Sequence, residues 1–280
     1  MEILRPGTIL EALDALAVRA GRARVLAGGT DLVVRMKEGL EAPGTLVALG
    51  RCVELRGVRE EGDEVVLGPM TTHEEIARSL FLRRVAPVLC DAAAEVGSLQ
   101  IRLRGTAGGN IVNASPSADL VPALHVLEAQ VVLRSKTAER KLPLELFATG
   151  PKTTRIAPDE ILAEIRFPRP SPGEVQLFLK LGARRALACA KVSMAFRARV
   201  DDKVLRGVRI AYGAVAPTVL RIRAAEAALE GVVMAPGVMG RAIAAVEAEI
   251  CPIDDVRSSA WYRRAACIEL LRRAVASTLL

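Results

Sequence analysis

Two glycine-rich segments are the residues best suited to do chemistry. The first is Leu26-Ala27-Gly28-Gly29-Thr30-Asp31-Leu32. A glycine pair after a short apolar run permits positive φ and close backbone approach. Successive N–H groups can then converge on one anion. Thr30 adds a hydroxyl donor. A carboxylate at Asp31 would repel a phosphate, so Asp31 is expected to cap the next turn or to point away. Standing alone, the segment could equally be an ordinary turn at a strand end.

The second segment runs from Arg104 to Asp119: Arg-Gly-Thr-Ala-Gly-Gly-Asn-Ile-Val-Asn-Ala-Ser-Pro-Ser-Ala-Asp. Thr106, Asn110, Asn113 and Ser115 crowd around Gly108 and Gly109. This supplies donors and acceptors in one place without a charged acid–base pair, and suits a diphosphate or a polyol chain. Asp119 can accept from ligand hydroxyls. A surface turn would have the same polarity, but Ile111, Val112 and Leu120 argue for partial burial, which requires that its polar groups be satisfied. Neither segment has the GxGxxG spacing, and no GxxxxGK[ST] occurs, so the usual Rossmann fingerprint and the P-loop are both missing.

Other chemistry is sparse. His73 and His125 are the two histidines, and neither has a nucleophile or metal-ligand partner in the sequence. Ser115 lies in no nucleophile elbow. The five cysteines (Cys52, Cys90, Cys189, Cys251 and Cys267) form no CxxC and no Cys/His cluster. No metal site is expected. Scattered thiols in odd number fit a reducing cytoplasm better than a disulfide framework.

The elements that must hold these segments follow from periodicity. Thr8-Ile9-Leu10-Glu11 reads as a capping box, with Ile9, Leu13, Leu16, Ala17 and Ala20 on one helical face and Gly21 as the stop. Arg24–Ala27 and Leu46–Leu49 read as buried strands. Glu64–Leu67 is a strand, Thr72-His73-Glu74-Glu75 a second capping box, 84–96 a helix, Gly105–Asp119 a loop, and Val131–Leu133 and Ile161–Phe167 further strands. Pro168-Arg169-Pro170-Ser171-Pro172-Gly173 can be neither helix nor central strand and reads as a linker. Beyond it, Val175–Leu181, Lys191–Val200 and Val204–Tyr212 predict three strands, followed from Arg221 by helices with breaks near Gly231–Gly240 and Cys251-Pro252. Strands followed by helices indicate an α+β unit.

At 280 residues the chain is expected to form two or three units. It is 51% hydrophobic and only 3% aromatic, so the core is aliphatic and bases would find few stacking partners. The net charge of +7 is dispersed without a basic run, which argues against nucleic acid and suits an anionic ligand or an acidic partner. No signal peptide and no span of about 18 uncharged apolar residues is found, so no membrane insertion is expected.

The two segments together resemble the FAD-binding subunit of the xanthine dehydrogenase and carbon monoxide dehydrogenase family of molybdenum hydroxylases. Ala27-Gly28-Gly29-Thr30-Asp31-Leu32 and Thr106 to Asp119 stand where that family carries its paired motifs. Leu4-Arg5-Pro6, Gln100-Ile101-Arg102 and Lys180-Leu181-Gly182-Ala183-Arg184-Arg185 agree with it as well, and the likeness covers nearly the whole chain. It implies an α+β fold: a two-lobed FAD-binding domain of the vanillyl-alcohol-oxidase (PCMH) type, divided as 1–55 and 56–170, plus a C-terminal domain of the carbon monoxide dehydrogenase flavoprotein type over 175–280, a three-stranded sheet with helices.

On this resemblance Leu26 to Asp31 cradle the FAD diphosphate. Thr106, Gly108, Gly109, Asn110, Ser115 and Asp119 hold the diphosphate, ribityl and ribose groups. Leu162 packs on the flavin ring, and Lys180 lies at the ring's polar edge, where a cation favours the reduced ring. The family departs from this chain at Leu103, where relatives often carry Asn. The chain also has no aromatic between Phe81 and Phe147 to stack on adenine; Phe178 is a candidate to shield the flavin ring. With no cysteine between Cys90 and Cys189, the inserted iron–sulfur loop of the benzoyl-CoA-type reductases is absent.

The resemblance further implies an oxidoreductase subunit that takes electrons from a small [2Fe-2S] subunit wired to a large molybdenum-cofactor subunit. The electrons leave through FAD to an external acceptor such as NAD, oxygen or a quinone. The alternative is a self-sufficient flavin-dependent oxidoreductase of the same fold, recognisable by substrate turnover by this chain alone. A third reading, an assembly subunit without flavin, would leave the protein colourless after FAD addition.

Overall fold

The computed structural model describes residues 1–19, 21–184 and 186–279. Ala20 of the expected helical face and Arg185 of the 180–185 segment lie outside the described residues.

The chain opens with β1 (Glu2–Leu4), α1 (Ile9–Arg19), β2 (Ala23–Leu26), α2 (Leu32–Lys37) and β3 (Thr45–Ala48). The strands form a parallel sheet in the order β1-β3-β2. α1 buries Ile9, Ala12, Leu13 and Leu16, the spacing of one helical stripe. Ala17, expected on that stripe, is exposed, and Ala12 takes its place. The capping box at Thr8 is half formed. The Glu11 N–H donates to Thr8 Oγ1 at 3.2 Å, but the Glu11 carboxylate accepts from the Gly7 N–H at 2.7 Å instead of from Thr8.

The middle of the chain runs β4 (Val58–Glu61), β5 (Glu64–Leu67), α3 (His73–Arg78), α4 (Leu80–Val85), α5 (Pro87–Ala94), α6 (Leu99–Arg102), α7 (Ala107–Val112), α8 (Leu120–Val126), β6 (Gln130–Arg134), β7 (Glu139–Pro143), β8 (Ala148–Gly150), β9 (Thr153–Thr154) and β10 (Ile161–Pro168). An antiparallel sheet forms in the order β4-β5-β10-β6-β7, while β8 and β9 make a small hairpin of their own. The capping box at Thr72 is complete: Glu75 N–H donates to Thr72 Oγ1, and Thr72 N–H to the Glu75 carboxylate.

Two expectations fail here. The helix expected over 84–96 is broken at Ala86 (φ −141°), because a residue preceding proline avoids the helical region and Pro87 opens α5. The loop expected over 105–119 contains α7, so Gly108 and Gly109 lie in the first turn of a helix.

Pro168, expected in the linker and not in a central strand, instead ends β10 opposite Glu64, where the strand runs out, so the linker narrows to 169–173. After it come β11 (Glu174–Leu181), β12 (Val192–Asp201), β13 (Val204–Gly213), β14 (Leu220–Arg221), α9 (Arg223–Leu229), α10 (Pro236–Glu249) and α11 (Ala260–Leu279). The three expected strands are present, and the two-residue β14 extends their antiparallel sheet to the order β11-β12-β13-β14. Gly237 and Gly240 are inside α10, so the break expected over Gly231–Gly240 ends at Ala235.

Alternate residues of this sheet face opposite ways. Ala195 and Ala211 join the core containing α5 and α8, whereas Met194, Phe196, Ile210 and Tyr212 join a second core with α9, α10 and α11. The Tyr212 hydroxyl donates to the Cys267 carbonyl at 2.9 Å and so is not left unpaired. A third, smaller core lies under α1. β10 serves two cores: Leu162, Ile165 and Phe167 enter the central one, Ile161 and Ala163 the N-terminal one.

Candidate functional site

The two glycine segments meet. β2 carries the chain straight to Gly28, and a Cβ there would overlap the Arg104 carbonyl and lie 3.1 Å from the Gly105 Cα. The segments therefore touch backbone to backbone, which only glycine at 28 permits. Gly29 has φ +76°, the left-handed turn that redirects the chain into α2. Thr30 Oγ1 lies 3.3 Å from where a Cβ on Gly105 would be.

The second segment is fixed from below. Thr106 pairs with Thr72 in a single antiparallel bridge, and its hydroxyl accepts from the Gly109 N–H at 3.1 Å. The N–H groups of Ala107 and Gly108 donate to the carbonyls of Thr71 (3.0 Å) and Pro69 (2.8 Å). A Cβ on Gly108 would stand 2.6 Å from Pro69 Cβ, so close packing, not positive φ, requires glycine there.

The hydrogen-bond accounting separates the two glycine pairs. Gly108 and Gly109 have spent their N–H groups on the protein. The amides of Gly28, Gly29, Thr30 and Asp31 donate to no acceptor among the described residues, and this stretch is only partly buried. They form a run of free donors beside the second segment. Leu26, Ala27 and Leu32 supply partly exposed apolar surface around it.

Asp31 does not cap α2 with its side chain. Its Oδ2 accepts from Asn113 Nδ2 at 2.7 Å, linking the first segment to the second. Lys152, in the β8–β9 turn, donates to Asn113 Oδ1 at 2.6 Å and stands 3.5 Å from Asp31 Oδ2. The expected repulsion at Asp31 thus has a counter-charge. Sequence reasoning missed Lys152: nothing about a lone lysine after Gly150-Pro151 signals the site.

Asp119 and Lys180 are brought together at 2.6 Å, with both side chains under 10% exposed, and Lys180 also donates to the Glu95 carbonyl at 2.8 Å. Burial pushes the Asp119 carboxyl up to about 6, against the pull of the Lys180 ammonium. Lys180 faces Ser193 across β11 and β12. Buried oxygens without a protein partner remain at Asp119 Oδ1, Asn110 Oδ1 and Ser193 Oγ.

Leu162 is 4% exposed and belongs to the central core, which Phe178 flanks half-buried. Ser115 Oγ pairs with Ser117 Oγ at 3.2 Å. His73 opens α3, and its N–H donates to the Gly105 carbonyl at 3.0 Å. Burial first, then Arg102, pushes its imidazole down to about 4; burial does the same to His125. Burial thus favours the neutral ring at both positions.

These residues fit FAD. Free amides suit a diphosphate, and orphaned oxygens at Asn110 and Asp119 suit hydroxyl donors of a ribityl or ribose group. Among the described residues no group of three or more His, Cys, Asp or Glu could hold a metal, and no helix is long and apolar enough to cross a membrane.

Comparison with known proteins agrees. Residues 1–170 match the FAD binding domain in molybdopterin dehydrogenase, and residues 178–278 the CO dehydrogenase flavoprotein C-terminal domain. The chain is 33% identical over 271 residues to the carbon monoxide dehydrogenase medium chain of Hydrogenophaga pseudoflava, covering 96% of this chain and 94% of that one. It is 32% identical over 225 residues to the xanthine dehydrogenase FAD-binding subunit of Escherichia coli, covering 79% and 76%. A solved carbon monoxide dehydrogenase from H. pseudoflava, lacking the Mo-pyranopterin moiety of the molybdenum cofactor, superimposes with a TM-score of 0.95 over 99% of this chain and 96% of that one, at 33% identity. The chain belongs to the family of FAD-binding subunits of molybdenum hydroxylases that includes the carbon monoxide and xanthine dehydrogenase flavoproteins.

Proposed function

We propose that this chain holds FAD between its two glycine segments and works as the electron-transfer subunit of a molybdenum hydroxylase. Electrons arrive from a small [2Fe-2S] subunit, fed by a large molybdenum-cofactor subunit, and leave to an external acceptor such as NAD, oxygen or a quinone. The observation that carries this reading is the contact of Gly28 with Arg104-Gly105 beside four free amides. FAD, when bound, supplies the exchange of electrons.

The chain's own residues bind and orient the cofactor. The amides of Gly28 to Asp31 donate to the diphosphate, with Thr30 as a hydroxyl donor. Thr106, Gly108 and Gly109 hold the neighbouring backbone in place. Asn110 and Asp119 accept from ligand hydroxyls, and Ser115 borders them. Leu162 would pack against the ring and Lys180 would set the charge near it, with Asp119 as the counter-ion of Lys180. Leu26, Ala27 and Leu32 exclude water around the diphosphate. The division into 1–55, 56–170 and 175–280 belongs to the same proposal, supported by the three larger sheets, of three, five and four strands, which fall one in each division. Five unpaired thiols support a reducing, cytoplasmic setting.

The test is a visible spectrum of the purified full chain, with the released cofactor identified. A flavin spectrum without an iron–sulfur shoulder, with FAD released at one per chain, is expected. A chain that stays colourless after incubation with FAD refutes the proposal. Turnover of a small organic substrate by this chain alone would establish a self-sufficient oxidoreductase in its place.

A further inference from the structure

The β8–β9 hairpin brings a charge to the cradle that neither glycine segment contains. Lys152 has φ +61° and Ala114 φ +44°, both in the left-handed region that non-glycine residues rarely adopt. The two strained residues hold each other, since the Lys152 N–H donates to the Ala114 carbonyl at 2.9 Å. This fixes the root of the lysine side chain against the second segment.

Its ammonium then closes a triangle. Lys152 Nζ donates to Asn113 Oδ1 at 2.6 Å, Asn113 Nδ2 donates to Asp31 Oδ2 at 2.7 Å, and Nζ stands 3.5 Å from that same carboxylate oxygen. The triangle joins three separate stretches of chain at the place where the free amides lie. An ammonium has three N–H donors, and one of them is committed to Asn113. The Lys152 side chain remains 42% exposed, so a second anion can reach it.

We propose that Lys152 is a diphosphate-binding residue whose ammonium is shared between Asp31 and the diphosphate of the bound dinucleotide. This rests on the reading of the glycine segments as an FAD cradle and adds a residue to it. Asp31 holds the lysine in position and, for the same reason, competes with the diphosphate for it.

The experiment titrates the full chain, stripped of cofactor, with FAD, ADP and riboflavin, following flavin fluorescence or heat. Lys152→Gln lowers affinity for FAD and ADP roughly tenfold, as expected for loss of a charge-assisted contact. It flattens the salt dependence and leaves riboflavin binding unchanged. Lys136→Gln, which removes the same charge from a pair with Asp14, leaves all three affinities unchanged. In an Asp31→Asn background, Lys152→Gln still weakens ADP binding.

Unchanged FAD affinity in Lys152→Gln overturns the proposal. So does an equal loss for riboflavin, which marks a structural effect. Silence of Lys152→Gln in the Asp31→Asn background also overturns it, because the lysine would then serve Asp31 alone. Those three results, obtained with a wild-type chain that binds FAD, leave the cradle itself standing; a wild-type chain without affinity for FAD or ADP overturns both readings.

Discussion

Gly28→Ala is the most direct challenge to the joint between the segments. Gly28 is outside the left-handed region, so the substitution tests space and not backbone freedom. The added methyl would overlap the Arg104 carbonyl. That carbonyl cannot swing aside as a side chain could. Gly105, next to it, is tied down by its own N–H donating to the Ile101 carbonyl at 2.6 Å and by its carbonyl accepting from His73 at 3.0 Å.

Ordinary carbon–oxygen contact requires the two segments to part by about 1–2 Å. Such overpacking costs about 1–3 kcal/mol of folding stability. The larger effect falls on the ligand. Moving the free amides by that distance breaks two or more hydrogen bonds to a charged group, each contributing about 1.5–3 kcal/mol. A loss of 3 kcal/mol or more is about a hundredfold or greater in affinity.

The assay is flavin retention after gel filtration, read as the ratio of visible to ultraviolet absorbance, with urea unfolding in parallel. Gly39→Ala is the control: its φ of +72° makes alanine strained, yet nothing lies within 4 Å, so it costs about 1 kcal/mol of stability and no flavin. Full flavin retention in Gly28→Ala would refute the argument that the two backbones meet there to form one cradle.

Gly109→Val crowds Thr106 Oγ1, 3.1 Å from the new Cβ, at a half-buried position of the second segment; flavin occupancy should be lost while circular dichroism persists. Asp119→Asn leaves the Lys180 ammonium buried without a carboxylate and should cost about 3–5 kcal/mol in urea unfolding, whereas Asp119→Leu with Lys180→Met should cost far less. Acid should destabilise the fold between pH 6.5 and 4. His73 and His125 are pushed down to about 4, so the unfolded chain binds protons first, and stability held above pH 6.5 is lost as pH falls, by up to about 3 kcal/mol per histidine. Asp119, raised to about 6, acts the opposite way and offsets part of this; a urea midpoint that is flat from pH 7 to 4.5 would contradict the assignment.

The sequence displayed what depends on local spacing. The glycine pairs, the capping box at Thr72 and the alternating strands of the C-terminal sheet were all legible, because each is written in neighbouring residues. What depends on distant contacts was not. Gly108 looked like a turn residue, but its glycine is required by Pro69, thirty-nine positions earlier. Asp31 looked like a liability beside phosphate, since its partners Asn113 and Lys152 come from other segments. Lys180 could have been a surface lysine at a strand end, and only the arrival of Asp119 shows it to be one half of a buried pair.

The sharing of β10 between two cores has a consequence for biosynthesis. Ile161 and Ala163 are fully enclosed among Ile9, Leu13 and Leu16, which leave the ribosome about 150 residues earlier. Until those two side chains emerge, the amino-terminal unit has an open floor and must wait, exposed, for a strand made much later. The floor under α1 is thereby complete only once translation has passed Ala163, beyond the midpoint of the chain.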